Sequence, residues 1–270
     1  MGFGHGTEGG AMEEDDTEIQ RRVLEEAFGE SSDDDGPACS AADPSLSRQP
    51  IWESVAGIKG LWLCRDFLWI KQQSLLLSAI EREGWFSDNS HNQAMRFGDL
   101  PEWATELARL VREAACFGEV SFEASRGSNS EDQDAEETCP LPLNLLWREP
   151  LFDQLIANVY EPGEGICAHV DLMRFEDGIA IVSLESACVM HFTQCKGGDG
   201  NAELQGEETS SMRIPILLSP GSLVLMSGEA RYLWKHEINR KPGYQLWEGK
   251  EIHQKRRTSV TLRKLCKSPN

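Results

Sequence analysis

The sequence GIAIVSLESACVMHF at residues 178–192 decides the fold, because it holds two short β-rich runs separated by a polar break. Short apolar runs of this kind, bounded by turn residues, are typical of antiparallel strands. Working outward, five more runs follow Pro140, at residues 151–160, 213–218, 222–227, 231–238 and 258–265. The second half of the chain is therefore predicted to form an antiparallel sheet system.

Two amphipathic helices are predicted before these runs. Apolar residues recur at helical spacing from 66 to 82, and Gly84 supplies a stop. The second helix is predicted to begin at Asp99 as its N-cap, with Pro101 in the first turn. The predicted fold is mainly β with N-terminal helices, a jelly roll with the helices packed on one face.

The composition describes an ordinary globular chain with an uneven charge distribution. The 270 residues are 40% hydrophobic and 26% charged, and no apolar run approaches the about 18 residues of a membrane span. A net charge of −19 disfavours phosphate-bearing partners in general. Residues 231–270 nevertheless hold 11 bases against 3 acids, so a polyanion could still bind there.

Residues 1–50 are predicted to be a disordered acidic tail, with 13 acids against 3 bases. The tail carries one amphipathic pattern, formed by Ile19, Val23, Leu24, Ala27 and Phe28, which is either a protein-binding helix or only a transient one. A single folded domain is predicted over 51–270, interrupted by an acidic surface loop at about 123–139. Eight scattered cysteines without a CxxC pair, and the lack of a secretory signal, predict a protein of the cytoplasm or nucleus.

The first chemically specific motif is His169-Val170-Asp171. On a strand, residues two apart share a face, so the imidazole and the carboxylate should converge. His236, on a later predicted strand, is a candidate third ligand. Two histidines and one carboxylate suit a non-haem Fe(II) oxygenase. The alternative is that such a motif arises by chance and that each histidine is simply hydrogen-bonded.

The run Arg257 to Arg263 has a second pattern of period two. It places Arg257, Ser259, Thr261 and Arg263 on one face, where two guanidiniums could bind a small dianion. The alternative is a basic edge strand whose charges protect against aggregation.

Taken together, residues 158–166, the HxD motif, residues 231–236 and residues 257–263 resemble the AlkB family of Fe(II)- and 2-oxoglutarate-dependent dioxygenases, and its tRNA-hydroxylating branch in particular, with some likeness to the mitochondrial branch. The resemblance implies a double-stranded β-helix oxygenase core that uses Fe(II), 2-oxoglutarate and O₂. It implies iron ligation by His169, Asp171 and His236. It also implies that 2-oxoglutarate is bound by Asn158, Tyr160, Arg257, Arg263 and Ser259, the last standing where the bacterial prototype has asparagine.

The resemblance further implies that the segment before the sheet covers a flipped base. Candidate substrate residues are Trp85, Phe86, Arg96, Phe97, Arg231 and Tyr232, although these aromatic side chains would equally serve as core packing. The implied reaction is oxidative demethylation or hydroxylation of a modified nucleobase, with RNA favoured over DNA as the nucleic acid partner. The alternatives are a protein side-chain hydroxylase of the same fold and a non-catalytic scaffold whose acidic tail binds partners.

Overall fold

The computed structural model describes residues 49–88, 91–121, 139–195 and 212–267. The predicted acidic tail and acidic loop lie almost entirely outside these residues, so the domain boundaries stay a prediction. The described strands are β1 (Ile51–Ser54), β2 (Leu61–Cys64), β3 (Gln93–Phe97), β4 (Glu119–Ser121), β5 (Gln154–Tyr160), β6 (Ile166–His169), β7 (Ile179–Leu184), β8 (Cys188–Gln194), β9 (Arg213–Leu218), β10 (Leu223–Met226), β11 (Trp234–Ile238), β12 (Leu246–Trp247), β13 (Lys250–Glu251) and β14 (Arg257–Arg263).

The strands form a large and a small sheet with an additional hairpin. The large sheet has the order β3-β5-β14-β7-β10-β2-β1-β4, and the small one has the order β6-β11-β8-β9. All pairs in both sheets are antiparallel except β1 with β4. This arrangement confirms the prediction of a mainly β chain built on antiparallel sheets.

Helices cover one face of the large sheet, and the small sheet faces the other. The described helices are α1 (Ile70–Arg82), α2 (Glu102–Phe117), α3 (Leu143–Leu146) and α4 (Gly228–Tyr232). A first core joins α1 and α2 to the large sheet through residues such as Leu107, Val111 and Leu155. A second core lies between the sheets, where Ile181 and Val224 of the large sheet pack with Phe192 and Trp234 of the small one. Apolar side chains therefore fill part of the space between the two sheets, and the rest of that space is available for a functional site.

The structure differs from the sequence prediction in the local bounds of several elements. Helix α2 begins at Glu102 with Pro101 at its N-cap, not Asp99, because Pro101 has an extended ψ of 151° and helical geometry starts only after it. Residues 231–238 do not form one strand, since the short helix α4 ends at Tyr232 before β11 begins. Strands β1 to β4 were not predicted, since runs of three to five residues leave little periodicity to detect.

No helix in the described ranges is long and apolar enough to cross a membrane. The compartment in which the protein resides stays a prediction.

Strand β1 is tied to α2 through Trp52. This side chain is fully buried, and its indole Nε1 donates a hydrogen bond to the Ala114 carbonyl at 2.8 Å. Trp52→Ala should lower the free energy of unfolding by about 3–5 kcal/mol, because it leaves a large cavity. Urea denaturation followed by circular dichroism measures this loss. The control is Trp147→Ala at an exposed tryptophan, and equal stability of the two variants would contradict the packing described.

Candidate metal centre and cosubstrate pocket

Two histidines lie side by side on neighbouring strands of the small sheet. His169 at the end of β6 is the direct partner of His236 in β11, and their ring centroids are 4.3 Å apart. Side chains of directly paired residues project to the same face of a sheet. The backbone register therefore brings two imidazoles together that are far apart in the sequence.

Close approach of the chain at Gly165 permits this register. A Cβ atom at Gly165 would lie 2.1 Å from the carbonyl oxygen of Ile238, which is closer than atoms can pack. Glycine is therefore required where the lead-in to β6 passes the end of β11. The requirement gives a physical reason for the Pro-Gly-Glu-Gly turn at residues 162–165.

Asp171 completes a three-residue cluster. It lies two residues beyond the end of β6, so the expectation that the whole HxD motif is on one strand is wrong. Its Oδ1 pairs with Arg263 Nη1 at 3.0 Å, and its Oδ2 lies 3.8 Å from His236 Nε2. One donor atom from each of His169, Asp171 and His236 lies within 4.8 Å of the others. One carboxylate oxygen is thus committed to arginine, and the other faces the imidazoles.

The hydrogen bonding and the burial of the two imidazoles suit a metal. Nδ1 of His169 donates a hydrogen bond to the Cys167 carbonyl at 2.8 Å, so Nε2 is the ring nitrogen available to a metal. Burial and the neighbouring His169 lower the pKa of His236 to about 4, so this imidazole is neutral at pH 7. Neutral imidazoles and a carboxylate are ligands that suit Fe(II). The donor set therefore fits the iron that the sequence implies.

Arg231 was a candidate substrate residue, but its side chain is buried away from the surface. Its Nη1 donates to the Asp171 carbonyl at 3.0 Å, and its Nη2 donates to the carbonyls of Leu172 and Phe175 at 2.8 and 3.1 Å. The residue is only 1% exposed. The geometry makes Arg231 a clamp on the loop that carries Asp171 rather than a group that touches substrate.

A cavity of about 270 Å³ opens beside the cluster, between the two sheets. Strands β5 and β14 form one wall, because the register places Tyr160 opposite Arg257 and Asn158 opposite Ser259. The cavity is lined by the three metal-cluster residues and by all of the candidate 2-oxoglutarate residues, namely Asn158, Tyr160, Arg257, Ser259 and Arg263. The structure thus brings these two predicted sets into a single pocket.

Arg257 has an unpartnered donor in this pocket. Its Nε donates to Ser183 Oγ at 3.0 Å, and its guanidinium lies 5.4 Å from the centroid of the Tyr160 ring. The Nη2 atom is buried and has no hydrogen-bond partner in the structure. A buried guanidinium donor is costly unless an acceptor reaches it, and a carboxylate fits its planar fork. The pocket therefore suits the carboxylate-bearing cosubstrate.

The other candidate substrate residues lie in different places. Trp85 and Phe86 pack against the core on the helix side, and the guanidinium of Arg96 lies over the Trp85 ring at 4.4 Å. Tyr232 is half-buried beside the Arg231 guanidinium. Phe97 is exposed, and it lies on the face of β3 that borders the pocket.

Sequence reasoning did not single out two residues of the cavity wall. Gln93 donates a hydrogen bond from Nε2 to Asn158 Oδ1 at 2.7 Å, and Leu172 lines the cavity directly after Asp171. A signal for Leu172 existed in its position next to the HxD motif. Gln93 gave no such signal, because its place in the cavity wall depends on the pairing of β3 with β5.

Comparison with known proteins agrees with this geometry. The model of the 2OG-Fe(II) oxygenase superfamily matches residues 78–263 of the chain. The chain therefore belongs to the 2OG-Fe(II) oxygenase superfamily, whose double-stranded β-helix core the two sheets form. With its intact His-Asp-His triad it is a dioxygenase that uses Fe(II) and 2-oxoglutarate, and the scaffold interpretation is wrong.

The chain is also similar to ALKBH8 proteins, in line with its resemblance to the AlkB family. It is 28% identical over 242 residues to the alkylated DNA repair protein ALKBH8 homolog of Arabidopsis thaliana, covering 80% of this chain and 61% of that protein. It is 29% identical over 238 residues to the tRNA (carboxymethyluridine(34)-5-O)-methyltransferase alkbh8 of Xenopus tropicalis, covering 78% of this chain and 32% of the relative. The chain thus spans less than two thirds of either relative.

Among solved structures, that of OsALKBH1 is 16% identical with a TM-score of 0.47, covering 76% of this chain and 96% of that one.

Arg231 offers a test of how the metal cluster is held. Arg231→Met removes three hydrogen bonds to the loop that carries Asp171, so it should weaken Co(II) binding, used as a probe for iron, by about 10- to 100-fold. Arg231→Lys should lose less affinity, since it keeps one charged donor. Isothermal titration calorimetry measures both constants.

The matched control for this test is Arg213→Met, at a guanidinium that is partly exposed and pairs with Glu237 at 3.9 Å. This variant should bind Co(II) as the unaltered chain does. Unchanged Co(II) affinity in a folded Arg231→Met protein would show that the clamp does not position the ligand.

Proposed function

We propose that this AlkB-type dioxygenase oxidises a modified nucleobase in RNA, either by hydroxylation or by oxidative demethylation. The observation that carries this choice of substrate is the similarity to relatives whose names specify tRNA. The relative from Macaca fascicularis is also named tRNA (carboxymethyluridine(34)-5-O)-methyltransferase ALKBH8, and this chain is 37% identical to it over 133 residues. That match covers 43% of this chain and 18% of the relative.

The reaction balance is that of an oxygenase. The iron, when bound, would activate O₂ together with 2-oxoglutarate. A substrate C–H bond, O₂ and 2-oxoglutarate would yield C–OH, succinate and CO₂. When the oxidised carbon is an N-methyl group, the hydroxymethyl product loses formaldehyde and leaves the demethylated base. The chain's own contribution is to hold the cosubstrate and to orient the base.

Arg257 is proposed to bind the distal carboxylate of 2-oxoglutarate with its free Nη2 atom. Arg263 lies at the other end, where its Nη1 is already paired with Asp171 and its buried Nε has no partner. Tyr160, directly opposite Arg257, and Ser259, two residues farther along β14, bring hydroxyl groups to the same wall. Burial raises the pKa of Tyr160, so its phenol stays protonated and can donate to the cosubstrate.

The assignment of Arg257 is tested by Arg257→Gln. The variant should raise the KM for 2-oxoglutarate by about 10-fold or more, because a charge-assisted hydrogen bond is lost in a buried site. Co(II) affinity should stay the same, since Arg257 does not contact the triad. Succinate formation against 2-oxoglutarate concentration measures KM, and Arg256→Gln is the control at the adjacent, half-exposed guanidinium. An unchanged KM would contradict the proposed role.

The substrate is tested by incubating the chain with total tRNA, Fe(II), 2-oxoglutarate and O₂, followed by mass spectrometry of the nucleosides. A nucleoside that gains one oxygen atom, or that loses a methyl group with release of formaldehyde, is the expected result. The change should disappear in His236→Ala, which removes one ligand of the triad.

Parallel incubations with single-stranded DNA and with a proteome-derived peptide mixture separate the alternatives. Oxidation of DNA would overturn the preference for RNA. A peptide that gains one oxygen atom, with no change in tRNA nucleosides, would favour a protein side-chain hydroxylase of the same fold.

A further inference from the structure

Strand β3 presents a row of side chains to the mouth of the cavity. Gln93 pairs with Asn158 and Met95 pairs with Ile156, and both partners line the cavity. Directly paired residues on neighbouring strands project to the same face, and residues two apart on one strand do so as well. Phe97 therefore shares this face with Met95. Both side chains are exposed, Phe97 to 47% of its surface.

The loop after Asp171 presents a second set of side chains from the other side of the mouth. Leu172 and Met173 are 59% and 70% exposed. The guanidinium of Arg174 lies 5.7 Å from the centroid of the Phe97 ring, which brings the loop against β3. We call Met95, Phe97, Leu172, Met173 and Arg174 the mouth surface.

The backbone under the mouth surface is held firmly. Arg231 donates three hydrogen bonds to this loop, and the amide of Cys266 donates to the Arg174 carbonyl at 2.8 Å. Phe175 also forms a β-bridge with Leu265. Leu172 and Met173 are thus exposed on a fixed backbone, and neighbouring exposed apolar groups of this kind mark interaction sites.

The charge at the mouth surface is positive. Arg174 carries this charge, and its guanidinium forms no ion pair with any carboxylate of the described residues. An aromatic ring with a guanidinium against it offers a stacking face to an unpaired base together with a donor for a phosphate. Leucine and methionine side chains act as wedges between bases in other nucleic-acid complexes.

We propose that the mouth surface seats the nucleotides that flank the reacting base in single-stranded RNA. This inference rests on the proposed function. One neighbouring base stacks on Phe97, Arg174 binds the phosphate beside it, and Leu172 with Met173 separates the reacting base from its neighbour. The seat would thereby select unpaired RNA over duplex RNA.

The experiment measures the binding of a short fluorescein-labelled single-stranded RNA, and of its duplex, to the full chain by fluorescence anisotropy. Phe97→Ala and Phe97→Leu should each weaken single-strand binding about 5-fold or more, because leucine keeps the apolar contact but not the aromatic face. Arg174→Gln should reduce the slope of log affinity against log salt by about 0.7, the value for one phosphate of a single strand. Met173→Ser should lower the ratio of the affinity for single-stranded RNA to the affinity for duplex RNA.

Matched controls are Phe117→Ala, at a phenylalanine that is 71% exposed, and Met212→Ser, at another exposed methionine. Both lie outside the mouth surface and should leave RNA affinity unchanged. Thermal unfolding midpoints equal to that of the unaltered chain show that each variant is folded.

The outcomes separate this inference from the proposed function. If tRNA nucleosides are oxidised equally by the unaltered chain, Phe97→Ala and Met173→Ser, and RNA affinity is also equal, the mouth surface is not the seat although the function stands. If single-stranded RNA binds through Phe97 but no nucleoside changes, the seat stands and the proposed function fails. Binding of a peptide through Phe97 in place of RNA would overturn both.

Discussion

The site depends on one constraint, the antiparallel pairing of β6 with β11. This register puts His169 directly opposite His236, at a separation that a single ion can bridge. The third ligand, Asp171, is not part of the sheet and needs its own support. Arg231 provides it from α4, only five residues before His236, so the two segments that carry the ligands are tied together. The strand register and one buried guanidinium thus fix the positions of the three metal ligands.

Buried positive charge is the second organising feature of the pocket. Arg263 pairs with the buried carboxylate of Asp171, Arg231 donates to the backbone carbonyl of Asp171, and Arg257 lies farther along the cavity wall. Peptide carbonyls accept from both Nη atoms of Arg231, and Asp171 accepts from Nη1 of Arg263, but each of the three guanidiniums keeps one buried nitrogen without a partner. A buried guanidinium without a partner has lost its hydration, which is unfavourable. A dianion that enters the pocket would supply the missing hydrogen bonds, and little further desolvation of the arginines would be needed. The pocket is therefore arranged to bind an anion.

The cavity wall formed by β14 could be predicted from the sequence better than the segments around the cavity. Period-two alternation in residues 257–263 correctly placed Arg257 and Arg263 on one face, because strand geometry leaves no other arrangement. It could not show that Arg231 points inward, since its position in a run of aromatic residues suggested a strand where a short helix formed. Nor could it show that Leu172 and Met173 are exposed. Exposure depends on which distant segment packs alongside, and β3 was too short to be recognised.

The first two strands matter for where this protein can be cut. The family match begins at residue 78, yet β2 pairs with β10 and β1 pairs with β2, so both belong to the same large sheet. A fragment trimmed to the matched region would leave β10 with a bare hydrogen-bonding edge and would strip Trp52 and Trp62 from the helix-side core. Recognisable family sequence and the cooperative folding unit therefore have different borders, and the second is the larger.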